Sequence, residues 1–214
     1  MEDLPAEEAQ RLIDVSRRCR YAAGEVVFHE QDRADCVHVI LSGRVAAVVT
    51  SPLGQQLTYR VMGPGELFGE LALLSDGRRS ATIQALEPTE TLAVDRVDFE
   101  RLRRERPVVG EALVRLLAAE VRRLSQRLRE ALSVPVETRV RRRLMDLAEA
   151  YGGAKPGTVV PLKQEDLASL SGAARPTVNR VLREEAALGV VSVERGRVVV
   201  IDPERLRRRA ASGG

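Results

Sequence analysis

Between Tyr21 and Asp95 apolar residues, many of them β-branched, come in short runs stopped by Gly, Pro or polar clusters: 25–29, 37–41, 44–50, 56–62, 81–85 and 90–94. Runs of this length and spacing predict strands of an all-β barrel or roll. Gly24, Gly43, Gly54 and Gly65 fall between them, where the chain turns back with a positive φ or a close backbone approach.

The period changes at Val97. Asp98-Phe99-Glu100-Arg101-Leu102 begins a short helix, and Pro107 suits the first turn of a far longer one. Along it Gly110, Val114, Leu117, Val121, Leu124, Leu128 and Ala131 recur at alternating spacings of four and three, flanked by Arg122, Arg123, Arg127 and Arg129. This a/d seam predicts a helix paired with its copy in a dimer; packing against its own β-rich half is the alternative. Ser133-Val134-Pro135 ends the helix as a hinge. Val140, Leu144, Leu147 and Ala148 then give helical periodicity up to Tyr151, followed by a Gly- and Pro-rich loop at 152–157.

The segment 163–188 reads as two helices around a turn. Leu167, Ala168 and Leu170 share one face, Gly172 permits the turn, and Val178, Val181 and Leu182 pack the second helix back, a helix-turn-helix. Pro176 costs nothing in the first turn of that second helix, and Arg175, Thr177, Asn179, Arg180 and Arg183 surround its exposed end and outer face. Arginine can bond two acceptors of a guanine edge and asparagine can do the same for adenine, whereas Thr and Lys more often hold phosphate. Lys163 and Gln164, at the head of the motif, join the expected DNA contacts. Runs at 190–194 and 198–201 form a hairpin wing whose tip, Arg195 and Arg197, reaches a phosphate or minor groove; the arginines of 205–209 read as a tail.

Charge follows the same division. Residues 1–105 hold 13 arginines and no lysine against 18 acidic residues, a balance of −5, while 106–214 hold 21 basic against 13 acidic, +8. The split suggests that only the C-terminal half meets a polyanion; solvated, Arg-rich helix faces are the alternative. With 44% hydrophobic but only 3% aromatic residues in 214, the core is aliphatic. Cys19 and Cys36 are too few for a disulfide framework, Met-Glu-Asp-Leu-Pro lacks a signal-peptide layout, and no apolar run nears the ~20 residues of a membrane span. The expectation is a cytoplasmic protein without a membrane partner. An enzyme is the first rival, but His29 and His38 lack close ligand partners at metal spacing, so no catalytic or metal-binding residue is assigned. A haem or redox sensor using His29, His38, Cys19 or Cys36 is the second; a lone Cys is more often a buried small hydrophobe.

A β-roll, a long helix and a winged helix-turn-helix in this order resemble the bacterial cyclic-AMP receptor protein/fumarate-nitrate regulator (CRP/FNR) family over nearly the whole chain. The stretch Phe68-Gly69-Glu70-Leu71-Ala72-Leu73-Leu74-Ser75-Asp76-Gly77-Arg78-Arg79-Ser80-Ala81 looks like that family's phosphate-binding cassette. The resemblance implies an α+β fold: a cyclic-nucleotide-binding-type β-roll at 1–105, a dimerisation helix at 106–133 and a winged helix-turn-helix DNA-binding domain at 134–214. It implies no bound cofactor other than a cyclic nucleotide, cAMP or cGMP, as allosteric effector. Its contacts would be Gly69, Glu70 on the ribose 2′-hydroxyl, Leu71, Arg79 and Ser80 on the phosphate, and Ala81. A homodimer, palindromic double-stranded DNA and RNA polymerase are the implied partners. Leu124 and Ser125 align with a Thr-Ser pair that cyclic-AMP responders present to adenine, Glu120 stands where they tend to carry Arg, and Pro176 replaces a Glu of the recognition helix. A different effector, or a sensor domain acting only as a dimer scaffold, remains the alternative.

Overall fold

The apolar run at 37–41 becomes a strand buried on both faces, and the N-terminal half is assembled around it. A computed structural model describes residues 6–52, 54–75 and 77–211, which fall into two compact units, Met1–Val121 and Arg122–Gly214. Asp76 of the cassette and the Met-Glu-Asp-Leu-Pro terminus lie outside the described residues. The first unit comprises α1 (Ala6–Asp14), β1 (Arg17–Tyr21), β2 (Val26–Phe28), β3 (Cys36–Ser42), β4 (Val45–Thr50), β5 (Gln56–Met62), β6 (Leu67–Phe68), α2 (Glu70–Leu74), β7 (Thr82–Ala85), β8 (Thr89–Asp95) and α3 (Arg96–Glu105). Helix α4 (Pro107–Ser133) continues into the second unit, followed by α5 (Val136–Gly152), β9 (Thr158–Val160), α6 (Gln164–Ser171), α7 (Arg175–Ala187), β10 (Val191–Glu194), β11 (Arg197–Val200) and α8 (Pro203–Ala211).

Two antiparallel sheets, β1-β8-β3-β6 and β2-β7-β4-β5, make the expected roll. Ile40, Val45, Ala47, Met62, Phe68, Ala81 and Ile83 form one core cluster. Neighbouring positions of β3 point the other way, and Val37 packs with Val94, Leu12, Ala72, Leu73, Phe99 and Leu102 beneath the helices. All four turn glycines adopt positive φ. At Gly43 a Cβ would lie 2.4 Å from the Pro88 carbonyl oxygen, so any side chain there displaces the β8 turn. A bulge interrupts the β4–β5 ladder: Ala47 pairs with Arg60 and Val48 with Thr58, leaving Tyr59 as the extra residue of β5. A bulge re-aims the side chains beside it.

In the second unit α5 carries Val140, Leu144, Leu147 and Ala148 into a core shared with Leu167, Leu170, Val178, Val181 and Leu182. The helix-turn-helix and its hairpin wing stand where expected, with β9 adding a third strand through Val160 and Val198. One expectation is corrected. The arginines of 205–209 are not a tail but part of α8, whose Leu206 and Ala210 are buried. It is held in place by the fully buried carboxylate of Glu185, which accepts from Arg141 Nε at 2.5 Å and from Arg209 Nε at 2.8 Å.

Along α4 the seam is partly open. Val114, Val121, Leu124 and Leu128 are exposed, and so is Leu132, next to the seam's last residue Ala131. Val109 is buried instead, and Leu113 packs against the first unit's core.

Candidate functional site

In the first unit the cassette wraps a cavity of about 60 Å³ between β5, β6, α2 and β7. Gly69, Glu70, Leu71, Arg79, Ser80 and Ala81 all line it, so the six cassette residues singled out in the sequence are brought together. Gly69 precedes α2 with φ +85°, and a Cβ there would sit 2.5 Å from Arg79 Nη1. Only glycine lets the arginine approach so closely.

Arg79 is 2% exposed. Its Nη1 donates to the Gly69 carbonyl at 3.0 Å and its Nη2 to the Cys36 carbonyl at 2.8 Å, while the guanidinium lies 3.9 Å over the Phe28 ring. Nε has no partner, and the carboxylate nearest Nη2, Asp35, stands 3.4 Å away. The charge is thus met by two carbonyls, an aromatic face and a long ion pair to exposed Asp35, with Nε unused. Glu70, also buried, has its carboxyl pushed above the ordinary range by burial; its own backbone N–H and nearby Arg60 and Arg79 pull the other way. Ser80 is exposed, and Leu71 is 43% exposed.

Sequence reasoning missed Arg60. The β5 bulge turns both Tyr59 and Arg60 onto the cavity, breaking the alternation that a regular strand would impose. Arg60 donates from Nη1 to Glu120 on α4 at 2.9 Å and from Nη2 to Glu66 at 2.8 Å, and Glu66 also accepts the Gly63 N–H. This chain of contacts straps α4 to the mouth of the cavity. Leu124 and Ser125 are exposed on the part of α4 that belongs to the second unit.

Behind Arg79, His38 stacks on Phe68 with centroids 4.9 Å apart, its Nδ1 3.1 Å from Thr91 Oγ1 and its Nε2 3.3 Å from Cys36 Sγ. Burial, reinforced by Arg79, lowers the imidazole pKa to about 4, and burial raises the Cys36 thiol to about 12. Both groups are therefore neutral near pH 7, the thiol is unreactive, and no cluster of metal-ligating side chains occurs among the described residues.

In the second unit Arg175, Asn179, Arg180 and Arg183 line one shallow concavity with Pro176 and Glu184. Thr177 is half-buried and outside it. The reading side chains are already engaged. Arg175 Nη1 is 3.0 Å from Glu165 Oε1; Asn179 Nδ2 donates to Gln164 Oε1 at 3.2 Å; Arg180 donates to Glu137 at 2.6 Å and to Glu184 at 3.0 Å. Exposed Lys163 heads α6, where its backbone N–H donates to Asp166. At the wing Arg195 is exposed and Arg197 pairs with Glu194 at 2.7 Å across the Gly196 turn. No helix among the described residues is long and apolar enough to cross a membrane.

Two family models match the chain: a cyclic nucleotide-binding domain over residues 18–106 and a Crp-like helix-turn-helix domain over 138–209. The chain is 33% identical over 193 residues to the CRP-like cAMP-activated global transcriptional regulator of Mycobacterium tuberculosis, covering 89% of this chain and 86% of that protein. Its identity to the cyclic AMP receptor protein of Thermus thermophilus is 35% over 197 residues, covering 92% and 89%. The crystal structure of Thermus thermophilus catabolite activator protein aligns at TM-score 0.56 with 34% identity, covering 97% of this chain and 96% of that one. The c-di-GMP responsive regulator CLP of Xanthomonas campestris aligns at TM-score 0.78 with 23% identity, covering 92% and 99%, a likeness of fold alone. With a ligand cassette of that domain type in one unit and a winged helix-turn-helix in the other, the chain belongs to the CRP/FNR family of DNA-binding transcription regulators.

Proposed function

We propose that the protein works in the cytoplasm as a homodimer that reads palindromic double-stranded DNA, contacts RNA polymerase, and is gated by a cyclic nucleotide bound in the β-roll cavity. The observation that carries the gating is the convergence of Gly69, Glu70, Arg79 and Ser80 on one cavity, with a buried guanidinium whose Nε is unpaired. An anionic phosphate offers Arg79 better acceptors than neutral carbonyls, and Glu70 can accept from a ribose hydroxyl. Small-molecule sites ordinarily enclose about 300–1,000 Å³. The cavity is smaller, and the Arg60–Glu120 pair in its wall joins it to α4. That coupling of ligand to α4 is the basis for a population shift.

The exposed stripe Val114, Val121, Leu124 and Leu128 supports the dimer. A symmetric pair of recognition helices would then read half-sites roughly 10 base pairs apart. Arg175, Asn179 and Arg180 read bases in this account, while Lys163, Gln164, Thr177, Arg183, Arg195 and Arg197 hold the backbone. Cyclic AMP is the first effector to try, because two relatives are named for it. A second reading, another effector or none, is favoured by Glu120, a carboxylate in the cavity wall, and by Leu124 and Ser125 where adenine contacts are expected.

Isothermal titration of the purified protein with cAMP and with cGMP tests the gating ligand, with Ser80→Ala as the control because that side chain is exposed. Saturable heat weakened by Ser80→Ala is the expected result. No heat with either nucleotide, from protein that still binds DNA, overturns it in favour of the second reading.

A further inference from the structure

Where α4 and α6 end, each leaves backbone carbonyls of its last turn without partners inside the helix. One side chain answers both. Arg139, in the first turn of α5, donates from Nη1 to the Ala131 and Val134 carbonyls at 3.1 and 3.2 Å, and from Nε and Nη2 to the Ser171 and Gly172 carbonyls, both at 3.1 Å. A cation gains at the C-terminal end of a helix, and here it meets two such ends. Gly172, the left-handed cap of α6, opens the turn that leads into α7. The guanidinium therefore ties the turn of the helix-turn-helix to the end of the helix that exposes Leu124 and Leu128. Buried Glu130 braces the same joint, accepting from Arg142 Nη1 at 3.3 Å and from Arg143. Ser133-Val134-Pro135, expected from the sequence to be a hinge, is thus bridged twice by side chains of α5.

We propose that Arg139 is a positioning residue that sets which half-site spacing the dimer accepts, by fixing the recognition helix relative to the helix that pairs the two copies. All four of its acceptors are backbone carbonyls, so it holds the frame of the motif and leaves the reading side chains to the bases. Moving one half-site by a single base pair shifts it by about 3.4 Å along the duplex and turns it by about 35° around the axis. A dimer with a stiff joint reaches such a site only by straining the joint or the DNA. Without Arg139 the joint bends at less cost, and wrongly spaced sites are bound less poorly. The correctly spaced site is bound less well, because two looser domains must be ordered on it. Both effects lower spacing discrimination. The planar guanidinium has five donors in a fixed fork and spans two helix ends, whereas a lysine keeps the charge on a single point. Arg139 is half-buried and two of its contacts are exposed, so water can take over its acceptors when it is replaced.

The inference rests on the proposed homodimer and its palindromic site. It is tested by selecting a preferred duplex from a random library with the full-length protein, under the effector conditions in which it binds DNA. Affinities of wild type, Arg139→Met and Arg139→Lys are then measured for that duplex, for versions with the spacer one base pair shorter or longer, and for a duplex with a single half-site. A hydrogen bond to a charged group shifts an equilibrium by about 10-fold, so Arg139→Met is expected to lower the ratio between correct and altered spacing by roughly 3- to 10-fold. Affinity for the single half-site should stay within about 2-fold of wild type, because one recognition helix reads it whatever the joint does. Arg139→Lys should lower the ratio in the same direction by a smaller amount, and it carries the comparison should Arg139→Met not fold. A wild-type ratio in either folded variant overturns the proposal. So does an equal loss on every duplex, the single half-site included, which would mark Arg139 as a residue of general stability. A wild-type protein that selects no two-fold-symmetric site overturns the dimeric reading and this proposal together.

Discussion

In the first unit the most deeply buried charged side chain is the guanidinium of Arg79, surrounded by neutral carbonyls and a phenyl ring; in the second it is the carboxylate of Glu185, gripped by two arginines. The two arrangements differ in how completely the charge is answered. Glu185 is fully buried and receives charge-assisted hydrogen bonds from α5 and α8, and a buried charge with such partners acts as a structural tie. Arg79 keeps an unused Nε and a 3.4 Å contact to Asp35, so its position is one that an incoming anion can improve. One unit is built to stay as it is, and the other holds a cation in reserve.

The largest effect is expected at Glu185. Glu185→Ala leaves Arg141 and Arg209 without their shared carboxylate and is expected to cost about 3–5 kcal/mol. Urea unfolding followed by circular dichroism reads this directly, the chain having no tryptophan. A loss under about 1 kcal/mol would show that water reaches the triad and that α8 is an accessory.

The second effect concerns His38, beside Arg79. Its folded pKa of about 4 lies below the ordinary 6.5, so the unfolded chain binds more protons between those values and stability rises with pH there. The contribution is fully present above pH 6.5 and is lost as pH falls toward 4, by about 3 kcal/mol. His38→Gln should flatten the stability profile across this window, and a slope equal to wild type would show that other groups govern it.

Arg79→Met is expected to cost less than the loss of Glu185, about 1–3 kcal/mol, because it strands carbonyl oxygens and not a full opposite charge. The same variant should abolish nucleotide binding while the protein remains folded. A melting curve alongside the titration separates the two effects, and nucleotide binding retained in folded Arg79→Met would remove Arg79 from the ligand.

How much of this was legible in the sequence depends on what each residue needs from its neighbours. The strand at 37–41 shows itself by its apolar run, and the helix-turn-helix by Leu167, Gly172, Val178 and Val181, because local pattern and tertiary burial agree there. β1, Arg-Arg-Cys-Arg-Tyr, shows no such period, since it is an edge strand whose arginines reach across to Glu90. α8 sets its buried Pro203, Leu206 and Ala210 among four arginines, and its helix becomes visible once Glu185 is known to be buried beneath it. The cassette residues were legible from resemblance. Their state was not: the sequence says that an arginine stands at 79, and only the packing of Gly69, Phe28 and Cys36 says that it points inward. Arg60 escaped because a bulge, which leaves no mark in composition, turns it onto the cavity.

The most direct test of the account is the affinity of the full-length protein for a palindromic duplex at fixed salt, measured by fluorescence anisotropy with and without saturating cAMP. Coupling free energies between sites usually correspond to about 5- to 150-fold in affinity, and nucleotide gating predicts a tightening in that range that disappears in Arg79→Met. Equal affinities in the two conditions, from protein shown by titration to have bound the nucleotide, would contradict it.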